Sequence, residues 1–400
     1  MEAEWGKKVL TAHDFTTPAY VFNLDVLTAH IDRIKELTEG HVNLCYAMKA
    51  NPLLIRTINN HIGKIEVCSP GELAICMKCN IPGAHIIFSG VNKTKRDVEE
   101  ALNYGVSVIT VESKKHFDLI VNHCRHIGKS VHILLRLTSG AQFGMDEELV
   151  EYFIKNRNEY PELIIDGIHF FSGTQKKKSE KMEEELQFLH HFIQTMQEKY
   201  EYQTMILEYG AGLSVPYFEG EDFTTVYDNL ESIIGMTDCL FPKVKVTLEL
   251  GRFFTWSCGQ YFTRVEDVKC NHGHNYAIVD GGIHHLNYYG QNMAMRVPKI
   301  QLHKDSSNTI QDEKDNTEEW TICGSLCTFA DVLIRKWTGK RLSIGDCLVF
   351  ENTGAYSVTE APALFLSRRM PVIYEWSEKE GLTCIRDAKE SFTLNCRVGE

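Results

Sequence analysis

One lysine at the end of a short apolar segment is the residue of this sequence best placed for covalent chemistry. Residues 43–48 are mostly apolar and predict a buried strand, and Lys49 ends that strand ahead of small and turn-forming residues. In a parallel barrel the carboxyl ends of the strands line the active site, so Lys49 would point into it. A lysine there can form a Schiff base with an aldehyde cofactor. A single lysine of this kind is more often simply solvated, so the interpretation depends on the rest of the chain.

Three later strands of the same kind end in groups that suit one such cofactor. The residues are Phe171 and Thr174 after the sixth strand, Gly210 and Gly212 after the seventh, and Glu249, Gly251 and Arg252 after the eighth. A carboxylate keeps a pyridine nitrogen protonated, glycines let backbone N–H groups approach a phosphate, and an aromatic ring forms a wall. Together with Lys49 they predict a site for pyridoxal 5'-phosphate (PLP).

The elements that position these residues repeat between residues 24 and 255. Apolar runs suited to parallel strands lie near 43–48, 64–68, 85–88, 106–111, 131–137, 163–170, 204–209 and 244–249. Helix-length segments separate them, among them 24–38, 94–104, 146–156 and 180–200. Eight β-then-α units predict an α/β fold, a (β/α)8 barrel over residues 24–255, with a doubly wound open sheet as the alternative.

The pattern changes after residue 256. Short apolar runs at 259–268, 275–280, 319–323 and 346–351 alternate with glycine and asparagine turns. We therefore expect residues 256–400 to form a mostly β domain, a sandwich or barrel, which residues 1–23 join through a strand at Thr17–Phe22. Residues 303–319 are polar except for Ile310 and predict a surface loop.

Composition and charge argue against several functions. The 400 residues include 42 basic and 54 acidic side chains, a net charge of −12, and no basic stretch dominates, which argues against nucleic acid as a partner. No apolar run has membrane-spanning length, and the first residues do not resemble a signal peptide. Thirteen cysteines without regular spacing predict reduced thiols in the cytoplasm. Cys76 and Cys79 form a CxxC with no second pair, so no metal site is predicted.

From Tyr20 to about Leu366 the chain resembles the fold-type III PLP enzymes of the ornithine, diaminopimelate and arginine decarboxylase family, which share the alanine racemase-like fold. The similar motifs are Tyr46–Asn51, Glu66–Leu73, Gly210–Gly212, Glu249–Arg252, Cys323–Cys327 and Gly354–Tyr356. The resemblance implies that Lys49 carries the cofactor, Glu249 pairs with its ring nitrogen and Tyr356 closes on its phosphate. It also implies that Glu66 and Thr174 belong to the cofactor site, and that Cys327 enters from the partner of a homodimer to return a proton to the substrate.

Departures from that family bear on the substrate. Phe171, and not His169, stands at the position of the family's ring-stacking histidine. Thr328 replaces the acidic residue that grips a distal ammonium group, so such a group has no evident partner. We assign Thr328, His284 and Arg296 to the substrate side of the site.

The residues just after several strands are similar to decarboxylases that act on glutamate carried on an acyl carrier protein. These segments are 142–146, 173–175, 215–218, 280–285 and 326–328. The resemblance implies decarboxylation of an amino acid or a carrier-bound aminoacyl group, in specialised metabolism. Lys176–Lys178 are then either a solvated run or a contact for an acidic carrier protein.

Three alternatives remain. One is a diaminopimelate- or ornithine-type decarboxylase of a free amino acid. A second, an alanine-racemase-like isomerase, needs an opposing tyrosine acid, and the Cys327–Thr328 motif argues against it. A third, a non-catalytic PLP carrier, would be a lone barrel, and the long chain after Arg252 argues against that.

Overall fold

A computed structural model describes residues 4–291, 293–305 and 317–397. The chain divides into two compact units. Residues 30–215 and 223–254 form the first, called the barrel unit here. Residues 1–29, 216–222 and 255–400 form the second, called the β unit. The predicted domains, 24–255 against 1–23 with 256–400, differ from these units at residues 24–29, 216–222 and 255, and their separate functions stay a prediction.

Eight parallel strands of the barrel unit close on themselves in chain order. They are β2 (Asn43–Ala47), β3 (Ile65–Val67), β4 (Ile86–Phe88), β5 (Val108–Val111), β6 (Val131–Leu137), β7 (Leu163–Phe171), β8 (Ile206–Gly210) and β9 (Lys245–Leu250). The last strand pairs with the first, with Thr247 opposite Asn43. The barrel prediction is therefore confirmed, and the open doubly wound sheet is excluded.

Helices follow the strands. They are α2 (Leu24–Thr38), α3 (Ile55–Ile62), α4 (Pro70–Lys78), α5 (Lys95–Tyr104), α6 (Lys114–Ile127), α7 (Glu147–Lys155), α8 (Ser179–Tyr200), α9 (Asp228–Leu240) and the single turn α10 (Arg252–Thr255). Five of them begin at a side-chain cap, in which Asn23, Ser69, Thr94, Ser113 or Asp146 accepts a backbone N–H of the first turn. Such caps satisfy N–H groups that a helix start leaves unpaired, and they end each strand-to-helix loop at a defined residue.

Apolar side chains fill the barrel below the carboxyl ends of its strands. Cys45, Ile87, Val108 and Leu134 form a buried cluster, with Ile206 packed against it. Strands of a parallel barrel are covered on both faces, and that is why they occur in the sequence as nearly continuous apolar runs. The carboxyl ends above this layer carry charged and polar residues instead.

The β unit contains a nine-stranded sheet. Its strands are β1 (Ala19–Asn23), β10 (Gly259–Asn271), β11 (His274–Val279), β12 (Ile300–His303), β13 (Thr317–Cys323), β14 (Val332–Lys340), β15 (Cys347–Phe350), β16 (Val372–Ser377) and β17 (Gly381–Arg386), with short helices α1 (Glu4–Leu10) and α11 (Phe392–Asn395). The main order is β14-β13-β11-β10-β1-β16-β17, and β15 pairs with both β10 and β12. The first strand lies antiparallel to β10 and parallel to β16, which confirms that the segment near Thr17–Phe22 joins the C-terminal sheet.

Two further sequence predictions concern loops and membranes. Of the predicted surface loop 303–319, His303 ends β12 and Thr317 begins β13, while 306–316 lie outside the described residues. Within the described ranges, no helix has both the length and the apolar character required to cross a lipid bilayer.

Candidate active site

Lys49 lies among carboxylates at the carboxyl ends of the barrel strands. It sits in a single 3-10 turn, Met48–Ala50, directly after β2. Its Nζ lies 2.9 Å from Glu66 Oε2, 3.4 Å from Glu249 Oε1 and 3.5 Å from Cys68 Sγ. The side chains of Glu66 and Glu249 are only 2% and 5% exposed, whereas that of Lys49 is 38% exposed. The structure thus brings together three predicted site residues from β2, β3 and β9.

His169 completes this group from β7. Its Nε2–H donates to Glu249 Oε2 at 2.9 Å, and the pair is buried. Burial by itself raises the pKa of Glu249, but Lys49 and His169 outweigh it and hold that pKa well below its usual range. Glu249 is therefore an anion with a fixed orientation.

His169 was not assigned to the site from sequence, because Phe171 stands at the position of the family's ring-stacking histidine. Side chains alternate along a strand, so residues two apart share one side. This spacing could have identified His169, because a strand that directs Phe171 toward the barrel mouth directs His169 to the same side, below it. Phe171 itself packs on Gly210, where an added Cβ would lie 2.6 Å from the phenyl ring.

A positively charged side chain of the protein itself neutralises the buried carboxylates. Ligand atoms of Glu66, His169 and Glu249 lie within 4.8 Å of one another, an arrangement that can also hold a metal ion. In this structure the Lys49 ammonium group contacts both carboxylates. Buried carboxylates are stable only when they are paired, and Lys49 supplies the pairing.

Glycines let the loops after β7 and β8 touch. A Cβ at Gly212, where φ is +62°, would lie 2.0 Å from the carbonyl oxygen of Gly173. Gly251 is similarly close to β2, since its Cβ would lie 3.1 Å from the Ala47 carbonyl oxygen. A side chain at Gly212 would collide with the backbone, and one at Gly251 would be crowded by it. Backbone turns of this kind commonly receive phosphate groups.

A hydroxyl and a guanidinium group lie beside these glycines. Arg252 Nε donates to Thr174 Oγ1 at 3.4 Å, and Arg252 is buried. The predicted residues Thr174, Gly210, Gly212, Gly251 and Arg252 thus come from the adjacent ends of β7, β8 and β9. A carboxylate, a lysine and a glycine-lined cradle with a guanidinium group fit a phosphorylated pyridine aldehyde.

A second buried charged group comes from β6 and from the segments after β4 and β5. Arg136 NH1 lies 3.0 Å from Glu112 Oε1, and Lys93 Nζ donates to the Gly90 carbonyl oxygen at 2.6 Å. Burial lowers the pKa of Lys93 to about 8. Sequence reasoning missed this group because Lys93 lies in a polar segment without a motif.

Cys327 and Thr328 lie in the β unit on a tightly braced loop. The carboxylate of Asp331 accepts the N–H groups of Leu326, at 2.7 Å, and Ile283, at 2.8 Å. Cys327 is exposed, and the neighbouring Phe329 is fully exposed at 103%. The loop therefore presents a thiol and an aromatic ring outward from a fixed backbone.

Three other predicted residues also lie in the β unit. Tyr356 is half-buried and has φ of 65°, a conformation that side chains rarely adopt. His284 is buried, which lowers its pKa to about 4. Arg296 pairs with Glu221 at 2.7 Å and lies 3.8 Å above the Phe218 ring. Their roles toward cofactor and substrate stay predictions.

Known proteins share both the sequence and the fold. Residues 24–256, more than half of the chain, match the family described as "Pyridoxal-dependent decarboxylase, pyridoxal binding domain". The L-glutamyl-[BtrI acyl-carrier protein] decarboxylase of Niallia circulans is 27% identical over 392 residues, 90% of this chain and 88% of that protein. The 2-[(L-alanin-3-ylcarbamoyl)methyl]-2-hydroxybutanedioate decarboxylase of Staphylococcus aureus is 29% identical over 384 residues, 90% of this chain and 94% of that protein.

Solved structures show the same fold. The diaminopimelate decarboxylase of M. jannaschii in complex with L-lysine superposes with a TM-score of 0.86 at 23% identity, covering 96% of this chain and 93% of that one. The lysine/ornithine decarboxylase of Vibrio vulnificus in complex with cadaverine gives a TM-score of 0.80 at 20% identity, covering 93% of this chain and 97% of that one. With its barrel, its lysine–carboxylate group and its matching sequence, the chain belongs to the pyridoxal-dependent decarboxylases, and its cofactor is PLP.

Proposed function

We propose that Lys49 holds PLP covalently in this decarboxylase, and that the substrate is an aminoacyl group whose distal end carries no free ammonium. The observation that supports the site most strongly is the position of Lys49, within reach of both Glu66 and Glu249 at the carboxyl ends of β2, β3 and β9. Active sites of such barrels lie at these ends.

The surrounding residues have distinct tasks in this proposal. Bound PLP withdraws electrons from the substrate carbon that loses CO2. Glu249, kept anionic by Lys49 and His169, favours a protonated ring nitrogen. Glu66 orients the Lys49 amine through the 2.9 Å contact.

The remaining cofactor contacts follow the strand ends. Phe171 forms a wall against the ring, and Thr174, Arg252 and the loops of Gly210, Gly212 and Gly251 receive the phosphate. We assign Tyr356 to the phosphate as well, because its motif resembles the tyrosine motif of the family. This assignment accounts for the close glycine approaches between the β7 and β8 loops.

We infer that a second copy of the chain completes the site. Cys327 is exposed beside the fully exposed Phe329 on a loop that Asp331 holds rigid. An exposed aromatic ring next to an exposed thiol suits an interface. In a homodimer Cys327 would return a proton to the substrate carbon in the partner's site.

The substrate proposal depends on Thr328. This residue cannot neutralise a distal ammonium group, and its hydroxyl oxygen accepts the N–H of Ala330 at 3.3 Å. The substrates named for the Niallia circulans and Staphylococcus aureus relatives, a glutamyl group on a carrier protein and a carbamoyl-linked hydroxybutanedioate, have no distal free amine. A carrier-bound glutamyl group is therefore our first candidate. All thirteen cysteines are free, which supports a reducing, cytoplasmic location.

CO2 release from a substrate panel tests this proposal. The panel contains glutamyl thioester on a carrier protein, free glutamate, meso-diaminopimelate and ornithine, with Lys49→Ala as the blank. We expect kcat/KM for the carrier-bound glutamyl group to exceed that for diaminopimelate by at least about 100-fold, because a buried ammonium without a partner is costly. Efficient turnover of free diaminopimelate would refute the substrate proposal and leave the cofactor site standing.

A further inference from the structure

Lys176 is buried, although a solvated run is one of the two interpretations that the sequence leaves open for Lys176–Lys178. Its side chain is only 3% exposed, and its Nζ lies 2.6 Å from Glu185 Oε2. Lys177 and Lys178 are exposed, as expected. The prediction of a solvated run is therefore wrong for Lys176, because α8 turns a carboxylate toward it nine residues later.

Glu185 joins three elements of the barrel unit. Besides Lys176, it accepts hydrogen bonds from the Tyr209 hydroxyl, at 2.7 Å, and from the Ser172 hydroxyl. Tyr209 lies on β8 next to Gly210, and Ser172 directly follows β7. The Lys176 ammonium also lies 5.4 Å from the centre of the Tyr209 ring. One carboxylate thus links the ends of β7 and β8 to α8.

Lys176 also contacts the glycine loop itself. Its backbone N–H donates to the Gly212 carbonyl oxygen at 2.9 Å. A Cβ built on Gly212 would lie 3.3 Å from Lys176 Cε, so the lysine side chain runs directly beneath that turn. Lys176 therefore brings a positively charged side chain to the turn where the phosphate is proposed to bind, and its backbone N–H holds that turn by a hydrogen bond.

The neighbouring residue shows that this loop is held in a strained conformation. Gln175 has φ of 57°, and its side chain donates to the Val215 carbonyl oxygen at 3.0 Å and accepts the Val215 N–H at 2.7 Å. The two loops are thereby paired along their length. A buried ion pair adds little net stability, since both ions lose their hydration. Its value here is a fixed distance between the loops.

We propose that Lys176 and Glu185 are positioning residues that set the spacing of the β7 and β8 loops and so determine affinity for the phosphate group of the cofactor. This inference rests on the proposed cofactor site. Lys176 contacts the Gly212 turn, so we expect its effect at the phosphate end of the cofactor.

Comparison of PLP with pyridoxal, which lacks the phosphate, tests this inference. Dissociation constants are measured on the cofactor-free protein from the visible absorption of the covalent lysine link. Lys176→Met should weaken PLP binding by at least about tenfold, as loss of a supporting contact typically does, and change pyridoxal binding by less than about twofold. Lys178→Met, the matched substitution at an exposed lysine two residues on, should change neither constant.

A milder variant guards against misfolding. Tyr209→Phe removes one hydrogen bond to Glu185 and keeps the ion pair, and it should weaken PLP binding by about threefold with pyridoxal unaffected. Unchanged PLP binding in both variants, or equal loss for PLP and pyridoxal, would overturn the positioning role. If the unsubstituted protein binds PLP no more tightly than pyridoxal, the proposed phosphate cradle itself is wrong.

Discussion

Replacing Glu249 with glutamine should slow decarboxylation without removing the cofactor. The substitution keeps the size of the side chain and one acceptor oxygen, replaces the other oxygen with an N–H donor, and removes the charge that faces Lys49 at 3.4 Å. Two unit charges at that distance interact with about 5 kcal/mol at an effective dielectric constant near 20. We take this value as an upper bound for the interaction between Glu249 and a protonated cofactor ring. If roughly 3–4 kcal/mol of that acts on the transition state, kcat falls by about 10²- to 10³-fold.

A second buried glutamate inside the same barrel is the matched control. Glu208 is 1% exposed, and burial together with the nearby Glu249 and Glu66 raises its pKa well above the usual range. Because burial favours the neutral form of Glu208, Glu208→Gln should disturb the charge of the site far less than Glu249→Gln, and we expect kcat within about threefold of the unsubstituted enzyme. Both variants are assayed for CO2 release at saturating substrate, with cofactor content measured on the same samples.

The comparison separates charge from packing. Fully loaded Glu249→Gln with unchanged kcat would refute the electrostatic role of Glu249. Equal losses in the two variants would show that disturbed packing, and not the missing charge, causes the effect.

Two more predictions concern assembly and pH. Lys49→Ala and Cys327→Ala should each be nearly inactive alone, and a mixture that is dissociated and reassociated should recover about a quarter of the wild-type activity. Half of the dimers are then hybrids, and each hybrid has one intact site out of two. Confirmed subunit exchange without recovered activity would contradict a site shared between subunits. His285 is 2% exposed, and burial lowers its pKa to about 3. In the unfolded chain its pKa is about 6.5, so the stability that the buried neutral ring contributes is complete above that pH and is lost as pH falls. The loss is about 2 kcal/mol at pH 5. Urea unfolding of His285→Asn should therefore show a pH slope between pH 5 and 6 that is smaller by about one proton, and an unchanged slope would mean that His285 is not buried in its neutral form.

The barrel could be predicted because its signal is local. Each buried parallel strand is a short apolar run, and all eight observed strands end within two residues of the predicted runs. Lys49 and Glu249 were predictable for the same reason, since each lies at the end of such a run. Their mutual contact required only that the barrel close between β9 and β2.

Other features depend on tertiary contacts that a sequence does not display. Lys176 looked solvated because charged runs usually are, and only the approach of α8 shows its partner Glu185. The place of β1 between β10 and β16 depends on pairing across more than 230 residues of chain. His169 is the exception, because its two-residue spacing from Phe171 placed it on the same side of the strand.

The central claim is that Lys49, and no other lysine, carries the cofactor. Lys93 is the alternative candidate, because it is fully buried and burial lowers its pKa to about 8. The direct test is borohydride reduction of the PLP-loaded protein, followed by digestion and mass spectrometry of the modified peptides. We predict a phosphopyridoxyl group on Lys49 alone, and its loss in Lys49→Ala. A modified Lys93 or Lys176, or a reducible adduct that survives in Lys49→Ala, would contradict the account.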